Sequence, residues 1–65
     1  MSLGFVLTTE KDGEIRFLAH DYEGTRWWAG RFKDALVLSL EKALEESKRP
    51  LDGRKPVVRE VTLSP

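Results

Sequence analysis

The segment Asp21–Leu44, DYEGTRWWAGRFKDALVLSLEKAL, constrains this chain most. It reads as a tight turn, a short strand carrying two tryptophans, and one amphipathic helix. Before it, two runs of period-2 alternation flank Lys11-Asp12-Gly13, which is a hairpin signal. After it, Val57–Leu63 reads as a single further strand. The expected fold is α+β: an antiparallel sheet in β-β-β-α-β order, with one amphipathic helix packed on one face. Residues 1–65 make one small domain.

The hairpin has two candidate registers. A two-residue Asp12-Gly13 loop sets Leu7 opposite Leu18 and sends Phe17 and Ala19 to the face away from Leu7. A three-residue Lys11-Asp12-Gly13 loop sets Leu7 opposite Phe17. It gathers Phe5, Leu7, Ile15, Phe17 and Ala19 on one face. A sheet with one buried face specifies register strongly, because a slip of one residue turns every side chain over. The three-residue loop, with Gly13 as a left-handed bulge, is therefore expected.

The helix is expected from about Phe32 to Lys48, where Pro50 stops it. At 100° per residue, Phe32, Ala35, Leu36, Ser39, Leu40, Ala43 and Leu44 share one stripe. Leu38 faces away from that stripe and is a candidate contact for a second chain. Trp27 and Trp28 are neighbours on a strand, so they point to opposite faces and at most one can lie in the core. In the last strand, Val57, Arg59, Val61 and Leu63 share a face. The charge of Arg59 there suggests an edge position or a bulge.

Sixty-five residues bury a thin core, and the chain has no cysteine with which to staple it. Association with a second copy is the remaining common staple, so a dimer is expected. Eleven basic residues balance eleven acidic ones. That balance disfavours nucleic-acid binding through bulk charge. No segment approaches the roughly 20 apolar residues that span a bilayer. No signal-peptide pattern is present, so a cytoplasmic location is expected.

Little in the sequence points to chemistry. His20 is the only histidine, and Asp21 beside it points to the opposite face by default. The serines lie near the ends (Ser2, Ser64) or on the expected helix (Ser39, Ser47), where none looks like a positioned nucleophile. The glycines are isolated, and no metal-ligand spacing occurs. The expectation is a non-catalytic chain without cofactor or metal. The sharpest binding candidate is Arg26-Trp27-Trp28-Ala29-Gly30-Arg31. Aromatics stack on bases and arginines hold phosphate, which gives RNA or single-stranded DNA as one reading. Tryptophan and arginine are also enriched in protein interfaces, and that reading is favoured. The contact set is Arg26, Trp27, Trp28, Arg31 and Leu38.

The stretch EKDGEIRFLAHDYEGTRWWAGRFKDALVLSLEKAL resembles the core of HicB-type antitoxins. Asp21 and Gly24 occupy that family's Asp-x-x-Gly turn. Asp34-Ala35-Leu36 stands at its helix opening, Ser39 and Ala43 at its small helix positions, and Pro56–Leu63 at its closing strand. The resemblance implies a partial ribonuclease-H fold, a dimer, and a partner: a small HicA-type ribonuclease toxin that the chain blocks by covering it. It does not imply operator binding by these residues.

Overall fold

The computed structural model describes residues 2–63; Met1, Ser64 and Pro65 lie outside them. In chain order the elements are β1 (Ser2–Lys11), β2 (Glu14–His20), β3 (Arg26–Ala29), a 3-10 turn (Phe32–Asp34), α1 (Leu40–Ser47) and β4 (Val57–Leu63). The strands form one sheet in the order β3-β2-β1-β4, antiparallel throughout. The first three make a meander. The chain then passes through α1 to reach the far edge. This is the expected α+β fold with its β-β-β-α-β order.

The hairpin register differs from the expected one. Lys11 pairs with Glu14 and Thr8 with Phe17, so the loop has two residues. Asp12 has φ 52° and Gly13 φ 81°. A type I′ turn needs positive φ at both central residues, and Asp-Gly is among its preferred pairs. The expected register assumed one buried face. This sheet has two apolar faces, so that constraint never operated and the turn decided the register.

Facing α1, the front of the sheet buries Leu7, Leu18 and Ala43, with Phe5, Trp28, Leu38, Leu51 and Val58 packed around them. The cross-strand pairs Leu18–Trp28 and Leu7–Val58 place these residues on one face. On the back, Val6, Thr8, Ala19 and Ala29 are buried. Phe17 there meets Phe32 edge-on, with ring centroids 5.5 Å apart.

The expected 17-residue helix is broken. Only Leu40–Ser47 is α-helical, capped by the Ser39 hydroxyl, which accepts from Lys42 N. A serine at this position satisfies one of the orphan donors of the first turn, so it starts a helix better than it continues one. Upstream, residues 35–38 run extended. The Leu36 amide donates to Leu18 O at 2.9 Å, and Leu38 exchanges backbone hydrogen bonds with Phe5 at 2.8 and 3.0 Å. β1 pairs with β2 only from Thr8 to Lys11 and with β4 from Ser2 to Thr8. Residues 36–38 thus bridge the split between β1 and β2 and satisfy backbone groups that the split leaves free. The bridge alternates as a strand does. Leu38 turns to the front core, whereas Val37 turns to the back, over Gly4.

The loop before β4 is clasped rather than loose. Leu51 and Arg54 exchange both backbone hydrogen bonds across Asp52-Gly53, whose φ angles are 54° and 73°. The Arg54 guanidinium donates to Glu10 O at 2.9 Å. β4 is an edge strand with unbroken pairing, which accommodates Arg59; its Nε donates to the Thr8 hydroxyl at 3.4 Å.

Candidate functional site

The five residues expected to make contacts separate into two groups. Trp28 belongs to the fold: it packs on the front core, and its indole Nε1 donates to Leu51 O at 3.0 Å. Arg26 also belongs to the fold. Its Nη2 donates to Arg49 O at 3.0 Å, and its buried Nε lies 3.4 Å from Glu46 Oε2 without hydrogen-bond geometry. A guanidinium at the last carbonyls after α1 suits the negative end of the helix dipole. The expectation that Leu38 faces away from the core is overturned. It rested on a helix through residues 35–38, and the extended bridge sends the side chain inward instead. Trp27 and Arg31 remain exposed, Trp27 at 44% on the back face opposite Ala19.

Two surfaces stand out. The first is the back of the sheet. Strand pairing places Ile15, Phe17, Ala19, Trp27, Ala29, Val57, Val61 and Leu63 on one side with Val6 and Thr8, interrupted by Glu10 and Arg59, and Val37 and Phe32 lie over it. Ile15, Trp27, Phe32, Val37 and Val57 are exposed. An antiparallel sheet with one solvated face ordinarily alternates apolar-in with polar-out. Here both parities are apolar, and α1 covers the front alone.

The second surface is a cleft of about 530 Å³ lined by His20, Asp21, Tyr22 and Trp27. Its floor is built by the β2–β3 turn. Asp21 Oδ1 accepts from the amides of Glu23 and Thr25, both at 2.9 Å. Gly24, at φ 82°, donates to Asp21 O. This is the Asx-turn chemistry that makes aspartate a turn former. Tied down on both sides, the turn holds Tyr22 fully in water, at 108% of its reference exposure. His20 Nδ1 lies 3.0 Å from Asp21 O. A carbonyl can only accept, so Nδ1 donates to it.

No family model matches the chain, and no curated protein or solved structure matches it either. The chemistry therefore has to be read from the geometry. A concave cleft does open beside His20, the shape that a reading with His20 as general base would require. The imidazole, however, is oriented by a backbone carbonyl rather than by a carboxylate. No group of three or more metal-ligating side chains forms among the described residues, and no helix there is long and apolar enough to cross a membrane.

Tyr22, Ile15, Phe32, Val37 and Val57 did not figure in the expected contact set. A signal for each is present in the sequence. An aromatic inside an Asp-x-x-Gly turn has no neighbour to bury it. Apolar residues at both parities, Val6 with Leu7 and Phe17 with Leu18, mark a two-faced sheet.

Proposed function

We propose that this chain is a small non-catalytic protein-binding module of the antitoxin-like kind, which neutralises a small ribonuclease toxin by covering it. The largely apolar back face, which the helix does not cover and where Ile15, Trp27, Phe32, Val37 and Val57 stay exposed, carries the reading. Clustered exposed aromatic and aliphatic residues mark interaction surfaces; Leu3, Leu40 and Leu44 are exposed elsewhere, on β1's front side and on α1. The molecule measures 34 × 23 × 22 Å. A whole sheet face is thus of the order of the roughly 800 Å² that each partner contributes to a specific interface. Trp27 and Phe32 are the aromatic anchors. Without its toxin, the same face closes on a second copy and gives a dimer. The sequence likeness to HicB-type antitoxins supports this reading.

The nucleic-acid reading loses two of its four residues, because Arg26 and Trp28 are engaged inside the fold. The test is co-expression with the adjacent reading frame. Wild type should retain that product through purification and suppress its RNA cleavage. Ile15→Lys with Val57→Asp should lose both effects while its melting curve stays close to that of wild type. A monomer that retains nothing, but whose Trp27 fluorescence an oligonucleotide quenches at low salt, would replace this reading with nucleic-acid binding.

A further inference from the structure

We propose that the cleft formed by His20, Asp21, Tyr22 and Trp27 binds an organic cation, the ammonium or guanidinium head of a lysine or arginine side chain. Two of its four lining residues offer neutral aromatic rings, and a third is a carboxylate. Trp and Tyr faces attract a cation through the negative face of the ring, Trp most strongly. The carboxylate adds net charge of the required sign. Asp21 Oδ1 is spent on the turn amides, and Oδ2 has no protein donor among the described residues.

The surroundings discriminate between ligands. A nucleobase would also stack on Trp27 and Tyr22, but its phosphate needs a free cation beside the rings. Arg26, the nearest arginine in sequence, is occupied by Glu46 and Arg49 O on the opposite face of the sheet from Trp27. Glu23, next to Tyr22, adds further negative charge to the same turn. An anion is disfavoured here and a cation favoured. The turn backbone is fixed by four hydrogen bonds, so the main chain that carries Tyr22 is in place before a ligand arrives.

Assigning that cation to the ribonuclease rests on the proposed function. An RNA-cleaving protein carries basic side chains to hold phosphate. Trp27 belongs to both the back face and the cleft, so a lysine or arginine at the rim of the covered surface would reach it. The cleft chemistry itself does not depend on that assignment.

The test is a titration of the full chain with Nα-acetyl-lysine amide, Nα-acetyl-arginine amide, choline and 3,3-dimethylbutan-1-ol, the neutral isostere of choline. It is followed by the two indole N–H resonances at constant ionic strength. The side-chain amides should shift the Trp27 resonance saturably and leave that of Trp28, bonded to Leu51 O, in place. The neutral isostere should bind about tenfold more weakly than choline, as loss of a cation–π contact requires. Tyr22→Ala and Trp27→Ala should each weaken binding by a similar factor. Asp21→Asn keeps the turn acceptor, removes the charge, and should weaken binding several-fold. An equal response to the neutral isostere overturns the proposal, as does an unchanged affinity in Tyr22→Ala. Saturation by choline alone would overturn the side-chain source. Silent cations with the toxin still captured would sink the cleft and spare the antitoxin reading; saturable cation binding with no partner retained would do the reverse.

Discussion

Trp28→Ala is expected to remove most of the protein's stability at 25 °C, while Trp27→Ala leaves its denaturation curve nearly unchanged. The two residues are adjacent and chemically identical, so the contrast isolates which face each occupies. Trp28 packs against the cluster of Leu7, Leu18 and Ala43 and ties β3 to the loop at Leu51. Replacing a core tryptophan with alanine costs about 3–5 kcal/mol. The Leu51 carbonyl keeps the Arg54 amide as a donor, so it is not orphaned and the cost falls toward the lower end of that range. A core this small supplies roughly 3–5 kcal/mol in all. Trp27, at 44% exposure, leaves little packing behind, and surface changes of that kind stay within about 0.5 kcal/mol. Urea unfolding followed by far-UV circular dichroism separates the outcomes. Equal losses, or a larger loss for Trp27, would reverse the assignment of the faces.

Gly4→Ala is the second large effect. A Cβ at Gly4 would lie 2.5 Å from Val37 Cγ1 and 3.2 Å from Leu63 Cδ1. Val37 is β-branched and stiff at χ1. It is also held from both sides, because Leu36 and Leu38 bond to Leu18 and Phe5. The clash must move the bridge between β1 and β2, and overpacking of this kind costs about 1–3 kcal/mol. In an unconstrained strand position the same change would stabilise the protein by about 0.4–1 kcal/mol through the unfolded chain. The sign of the effect is thus informative. A Val37→Ala background should restore most of the loss, giving a coupling of at least about 1 kcal/mol in a double-mutant cycle. Independent, additive effects would mean that residues 36–38 do not bridge the split.

The architecture was legible because its signals were local. Two alternating runs around Asp12-Gly13, a tryptophan pair after an Asp-x-x-Gly turn, and a Pro56-led closing strand lead to β-β-β-α-β without knowledge of packing. The register and the helix start were not legible, for one shared reason. Both were argued by asking which pattern gathers the apolar residues on one side. Applied to residues 32–44, that rule gives a helical stripe; the structure divides the same residues between a 3-10 turn, an extended bridge and α1. The bridge exists because β1 and β2 part beyond Thr8, a long-range event with no sequence marker nearby. Gly4 carries the trace of it, 33 positions away from the valine that it admits.

The same error concealed the binding surface. The expected contact set includes Leu38, which an unbroken amphipathic helix would leave off its core stripe, and both tryptophans, of which a one-faced sheet could bury only one. In the folded chain Leu38 and Trp28 pack on the core, and the residues left over include Ile15, Phe32, Val37 and Val57 on the back, besides Leu3, Leu40 and Leu44. Trp27 remains exposed in both readings. Its neighbour Tyr22 is exposed because the Asp21 carboxylate fixes the turn, an arrangement visible only once the Oδ1 contacts are known.

The account depends on the back of the sheet being a surface that another protein covers. Sedimentation velocity measures this most directly, on the chain alone over a concentration series and on the co-expressed complex, with Ile15→Lys/Val57→Asp alongside. The account predicts that wild type sediments above its 7.4 kDa chain mass in both preparations, and that the double variant runs as a folded monomer in each. A wild type that stays monomeric at every concentration and retains no partner would contradict it.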